Sequence, residues 1–77
     1  MLNKYRVDVS DSNIVPCGMN SIRYIGNNLK EANRVYNATK VGFTAWNKPN
    51  PDYGVILSEW NGTDYVPLLM KHNPRVL

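Results

Sequence analysis

Residues 53–70 read YGVILSEWNGTDYVPLLM, which is two apolar segments on either side of an Asn-Gly pair. Asn-Gly is the preferred pair for a two-residue type I′ turn, so this stretch predicts a β-hairpin with strands over Tyr53–Trp60 and Thr63–Met70. The turn would place cross-strand partners opposite each other as follows: Trp60 with Thr63, Glu59 with Asp64, Ser58 with Tyr65, Leu57 with Val66, and Ile56 with Pro67.

Because side chains alternate across a strand, this register assigns each residue of the hairpin to one face of the sheet. The face that we expect to meet a helix carries Val55, Leu57, Val66 and Leu68. The face that we expect to meet solvent carries Ile56, Ser58, Trp60, Thr63 and Tyr65.

Two details of the register can be checked. Pro67 has no N–H to donate, so the second hairpin strand is expected at an edge of the sheet, with the alternative of a break or bulge. Glu59 and Asp64 would face each other near the turn as a like-charge pair. The simplest interpretation is that both carboxylates point into water, because two are too few ligands for a calcium site.

A helix is predicted to begin at Asn28 and to end near Thr39. Asn28 is a favourable N-cap residue, and Glu31 follows three positions later, as in a capping box. The helix would have one apolar stripe and one polar face. The stripe consists of Leu29, Ala32, Val35 and Tyr36, and the polar face carries Lys30, Arg34 and Asn37.

Three further segments have strand character. Lys4 to Val9 alternates strictly, Ile22 to Ile25 is short and rich in β-branched and aromatic residues, and Val41 to Trp46 alternates before a loop that contains two prolines. The element order is therefore ββαβββ. It predicts an α+β fold with an antiparallel sheet of about five strands and one helix on one face. Residues 1–77 would form a single small domain, with residues 71–77 as a flexible tail.

Composition excludes several function classes. Nine Lys and Arg against six Asp and Glu leave a net charge of +3, without a basic run. One cysteine, Cys17, and one histidine, His72, are too few for a metal site or a recognisable catalytic constellation, so we expect no metal, no cofactor and no enzyme. The absence of a signal peptide, a membrane span and a disulfide framework predicts a cytoplasmic protein.

Protein recognition is the class that remains, and two sets of side chains could carry it. The outer sheet face would present Trp60, Tyr65, Ile56 and Ser58, and the helix would present Lys30 and Arg34. The plainer interpretation is that Lys30 and Arg34 are simply solvated and that Trp60 folds over its neighbour.

Two alternatives stay open. A single-stranded nucleic-acid site would use aromatic and basic residues near the proline loop, namely Trp46, Lys48, Tyr53, Lys71 and Arg75. The competing structural interpretation is that Trp46 anchors the loop on the core and Tyr53 starts a strand. A structural subunit that self-associates through the outer face or the strand edge is the other alternative.

The sequence also resembles small phage proteins that disable host machinery, such as an inhibitor of bacterial RNA polymerase and some anti-CRISPR proteins. The residues that carry this resemblance are Tyr24, the helix start Leu29-Lys30-Glu31-Ala32, the strand Tyr53-Gly54-Val55-Ile56-Leu57, and Asn61-Gly62. The likeness covers residues 22–70 in pattern and carries no functional residue across. It implies stoichiometric inhibition of a host protein in the host cytoplasm.

Overall fold

A computed structural model describes residues 3–11 and 18–73. Its elements are β1 (Tyr5–Ser10), a short 3-10 helix (Met19–Ser21), β2 (Ile22–Gly26), α1 (Leu29–Ala38), β3 (Gly54–Trp60) and β4 (Tyr65–Lys71). The fold is α+β, as predicted, with one helix and an antiparallel sheet. Within the described residues the sheet has four strands rather than five, in the order β2-β1-β3-β4.

The expected strand over Val41–Trp46 is not formed. Only Phe43 makes an isolated bridge, to Pro49. Gly42 has a φ of 86°, which interrupts an extended run, and Pro49 has no N–H with which to continue a ladder. The segment is instead a small loop closed by bonds from the Thr44 amide to the Lys48 carbonyl (2.8 Å) and from the Asn50 amide to the Gly42 carbonyl (2.9 Å).

The β3–β4 hairpin forms, but its turn is longer than the predicted two residues. Trp60 pairs with Tyr65, which leaves residues 61–64 as the loop. The Asn61 side chain explains the difference, because its Oδ1 accepts from the amides of Thr63 (2.8 Å) and Asp64 (2.9 Å). Glu59 therefore lies opposite Val66, not Asp64, and the expected like-charge pair does not exist.

Near the turn, the observed pairing differs from the predicted pairing by two residues. Because side chains alternate in direction along a strand, a shift of two residues leaves each side chain there on its predicted face. A bulge then changes the register: Ser58 pairs with Pro67, but Leu57 pairs with Leu69, so Leu68 is the extra residue. The prediction that the strand containing Pro67 lies at an edge is confirmed.

Pro67 does not interrupt the β3–β4 ladder. The Trp60 amide donates to the Lys4 carbonyl on the β1 side (2.7 Å). Hydrogen-bonding direction alternates along a strand, so Ser58 also points its backbone groups toward β1, and its partner Pro67 sits in a non-hydrogen-bonded pair. The missing N–H therefore falls on the free edge of β4.

Helix α1 begins as predicted, with the Asn28 side chain accepting from the Glu31 amide (3.2 Å). Its buried residues are Ala32 and Tyr36, whereas Leu29 is 41% exposed. The core between the helix and the sheet consists of Tyr5, Val7, Ala32, Tyr36, Val55 and Leu57. The predicted inward face of β3, which carries Val55 and Leu57, is therefore confirmed.

Lys71, which the sequence placed in a flexible tail, is the last residue of β4. Its ammonium lies 4.9 Å from the centre of the Tyr36 ring, and thus contacts the helix. Residues 74–77 lie outside the described residues.

Candidate protein-binding surface

Strand β4 exposes a run of apolar side chains, which we call the β4 surface. It consists of Val66 (43% exposed), Leu68 (48%), Leu69 (46%) and Met70 (51%). Val66 and Leu69 pair with Glu59 and Leu57 and so lie on the helix side of the sheet, while Met70 pairs with Ile56 on the other side. Both faces of this strand are therefore open to solvent.

The helix explains why the β4 surface is exposed. Helix α1 packs mainly over β1, β2 and β3 and reaches β4 at Lys71. We expected Val55, Leu57, Val66 and Leu68 all to pack against the apolar stripe of the helix. Val55 and Leu57 do so, but the prediction is wrong for Val66 and Leu68, which are exposed. The sequence shows which way a side chain points, but the lateral position of the helix decides which strand it covers.

The outer sheet face differs from the expected solvent-exposed patch. Ile56 is 2% exposed and Ser58 is 7% exposed, so neither is accessible to a partner. Both lie on a central strand, between β1 and β4, and the β1 partner of Ile56 is the buried Asp8. Their burial removes these two residues from the predicted contact set.

Trp60 and Tyr65 remain half-buried at the end of this outer face. Their rings pack edge to face, with centroids 5.2 Å apart and an interplanar angle of 64°. The Tyr65 hydroxyl donates to the Asn3 carbonyl (2.6 Å), and the Arg6 guanidinium lies 5.6 Å from the Tyr65 ring centre. The prediction that the two aromatic residues share the side opposite the helix is correct, and the structure adds that they pack on each other.

A buried polar network lies beside this pair and was not predicted. Asp8 is 1% exposed and accepts from Arg6 through Nε (2.7 Å) and Nη2 (2.9 Å). The Ser21 hydroxyl also donates to Asp8 (2.9 Å). The alternation Arg6-Val7-Asp8 places both charges on one face, where the Ser21 hydroxyl of the 3-10 helix contacts Asp8. Among the described residues, no buried side-chain polar atom lacks a hydrogen-bond partner, so this network satisfies the buried Asp8 carboxylate.

On α1, Lys30 and Arg34 are exposed, as predicted. Arg34 is not free, however, since its guanidinium binds Glu31 one turn earlier (2.9 Å from Nε). The hydrogen bond from Arg34 holds the pKa of the Glu31 carboxyl below its ordinary value. Glu31 therefore forms an ion pair instead of completing the capping box with its side chain.

The described residues of the alternative nucleic-acid site are divided among three places: the tip of a loop, the base of that loop, and strand β4. Trp46, at 63% exposed, and Lys48 lie at the tip of the loop between α1 and β3. Tyr53 lies at the base of the loop, where its carbonyl accepts from the Gly42 amide (2.9 Å), and Lys71 lies on β4. Arg75 is outside the described residues. The interpretation that Trp46 anchors the loop on the core is wrong.

Beside this tip is a cavity of about 410 Å³ between the end of α1, β1 and the loop. Its lining includes Val9, Arg23, Lys40, Phe43, Thr44 and Asn47. Sequence reasoning missed the contributions of Arg23 and Lys40, because they come from β2 and from the residues after α1, which are distant along the chain from Trp46.

In the described ranges, no group of three or more His, Cys, Asp or Glu side chains is placed to hold a metal ion. The same part of the chain contains no helix with the length and apolar character required to cross a membrane. No protein family, curated protein or solved structure matches the chain.

Proposed function

We propose that this protein is a non-enzymatic protein-binding module that contacts its partner through the β4 surface. The observation that carries the proposal is the run of four exposed apolar side chains on an edge strand that the helix leaves uncovered. Apolar patches of this kind on a small domain mark interaction sites, because their burial is favourable and their exposure promotes association.

The geometry of β4 favours side-chain packing over addition of a partner strand. Pro67 removes a donor from the free edge, and the bulge at Leu68 interrupts the regular spacing of the remaining backbone groups. A strand added to this edge would have an incomplete hydrogen-bond ladder. Because Leu69 and Met70 lie on opposite faces of β4, the partner presents an apolar groove that receives the edge of this strand between its two walls, rather than a strand.

The mode of action that we propose is blockade of a host protein, one that handles nucleic acid or defends the cell. The resemblance of residues 22–70 to small phage inhibitors supports this part of the proposal. Such a protein acts stoichiometrically, by occupying a surface. We place this action in the host cytoplasm, where a chain with a single cysteine needs no disulfide.

The test compares capture from a bacterial lysate by the wild-type protein and by matched variants. Leu69→Ser and Met70→Ser each remove an apolar side chain from β4. Ile25→Ser is the control, because Ile25 is also 46% exposed and lies on β2, the opposite edge. We expect the wild type and Ile25→Ser to retain the same protein in a stoichiometric amount, and the β4 variants to bind it at least about 30-fold more weakly.

Two results would contradict the proposal. One is that Ile25→Ser no longer captures the partner while the β4 variants still do, which would place the contact at the β2 edge of the sheet instead of at β4. The other is a concentration-dependent dimer in sedimentation that Leu69→Ser abolishes, which would show that a second copy covers the β4 surface and that the protein is a self-associating subunit. Circular dichroism verifies that each variant is folded.

A further inference from the structure

At the tip of the loop between α1 and β3, hydrogen bonds hold the backbone on which the 63% exposed Trp46 stands. Oγ1 of Thr44 accepts from the amides of Trp46 (3.3 Å) and Lys48 (3.2 Å). From the sheet side, Arg23 Nη2 donates to the Ala45 carbonyl (2.9 Å). An exposed ring on a backbone that is already ordered loses little conformational entropy when it binds a ligand.

Cationic side chains lie in the cavity that adjoins the loop at Asn47, the residue after Trp46, and on the loop itself. Arg23 and Lys40 line the adjacent cavity, and Lys48 follows Trp46 by two residues. Lys40 and Lys48 are exposed, and neither forms an ion pair with a described residue. Among the described residues that line the cavity, none is acidic. The loop tip therefore attracts anionic groups.

We propose that Trp46 and this cationic cavity form a binding site for single-stranded nucleic acid. An exposed aromatic face beside a positively charged groove is the combination that binds single strands with little sequence preference. A base would stack on Trp46 while backbone phosphates lie near Lys40 and Lys48. The cavity volume of about 410 Å³ falls within the range of roughly 300–1,000 Å³ that is common for ligand sites, and Phe43 supplies an aromatic wall.

Two competing ligands fit this surface less well. A duplex keeps its base faces stacked inside the helix, so Trp46 would have no π face to contact. An acidic polypeptide could pair with the lysines, but it supplies no flat ring for the indole. The site is separate from the β4 surface, so this inference goes beyond the proposed protein-binding function and does not depend on it.

The test measures binding of a fluorescein-labelled oligodeoxythymidine of about 12 nucleotides by anisotropy, between about 50 and 200 mM salt. With two phosphate contacts, at Lys40 and Lys48, the logarithm of the affinity should fall against the logarithm of salt with a slope of about −1.4. In a Trp60→Phe background, Trp46 is the only tryptophan, and its fluorescence should be quenched as the base stacks.

Variants separate stacking from charge. Trp46→Ala should weaken binding by about tenfold or more, and Trp46→Phe should restore part of the affinity. Lys40→Ala and Lys48→Ala should each reduce the salt slope by about 0.7. Lys30→Ala is the matched control, since it removes the same charge from an exposed site on α1. It should change neither the affinity for the oligonucleotide nor the salt slope.

Several results would overturn the inference: no binding at the lowest salt, equal losses for Lys30→Ala and Lys48→Ala, unchanged affinity of Trp46→Ala, or tighter binding of polyglutamate than of the oligonucleotide. Should Trp46→Ala fail to fold, Trp46→Leu keeps an apolar side chain without the aromatic face. The β4 variant Leu69→Ser should leave oligonucleotide binding unchanged, which separates failure of this site from failure of the proposed function.

Discussion

Arg6 and Asp8 form a two-point ion pair between side chains two residues apart on the same strand, with distances of 2.7 Å from Nε and 2.9 Å from Nη2. Asp8 is almost completely buried, whereas the Arg6 side chain is 23% exposed. The pair lies on the sheet face opposite the helix, where it connects the 3-10 helix to the Trp60–Tyr65 cluster through Ser21 and Tyr65. This face is therefore held together by polar contacts.

The first prediction concerns this ion pair. Arg6→Ala would leave the buried Asp8 carboxylate with the Ser21 hydroxyl as its remaining side-chain donor among the described residues, so the free energy of unfolding should fall by about 2–4 kcal/mol. Urea denaturation followed by circular dichroism measures this change. Arg34→Ala, which removes an exposed arginine from the Glu31 pair, is the control and should have little effect. Equal effects of the two substitutions would show that burial of Asp8 does not matter.

The second prediction distinguishes core from surface on the hairpin. Leu57 is fully buried and Leu69, its cross-strand partner, is 46% exposed. Leu57→Ala should lower the free energy of unfolding by about 2–5 kcal/mol, because it leaves a cavity beneath the helix. Leu69→Ala should cost less than about 1 kcal/mol. A large loss from Leu69→Ala, measured in the same urea titration, would mean that β4 is part of the core in solution.

The third prediction concerns the turn. Asn61→Ala removes the acceptor for the amides of Thr63 and Asp64, so it should destabilise the protein by about 1 kcal/mol. Asn61→Asp keeps an acceptor oxygen in the same place and should retain most of the stability. Thermal unfolding of the three proteins provides the comparison. A change of register in Asn61→Ala would appear as new cross-strand contacts by NMR. It would indicate that a two-residue turn is close in energy to the observed loop of residues 61–64.

The fourth prediction is a pH dependence at Tyr36. Burial raises the pKa of the Tyr36 hydroxyl above its ordinary value of about 10. In the unfolded chain this tyrosine ionises first, so its contribution to stability is complete below pH 10 and is lost as the pH rises through the raised pKa. Urea titrations from neutral to alkaline pH should therefore show that the free energy of unfolding falls more steeply for the wild type than for Tyr36→Phe. If the free energy of unfolding fell equally with pH in both proteins, Tyr36 would ionise as easily in the folded state as in the unfolded chain.

Local signals in the sequence determined several features correctly. Asn28 begins the helix because its side chain caps a nearby amide, which requires only neighbouring residues. Val7, Val55 and Leu57 face the core because alternation along a strand assigns their direction. Pro67 indicates an edge strand because it lacks a donor.

Tertiary structure alone decided which of these side chains are accessible. Ile56 and Ser58 point away from the helix, as predicted, yet they are buried, and Trp46 is exposed although its size favoured a place in the core. Burial depends on segments that are distant along the chain, such as the 3-10 helix whose Ser21 contacts Asp8 and the helix that leaves most of β4 exposed. Periodicity records the direction of a side chain, but the packing of remote elements determines what it meets.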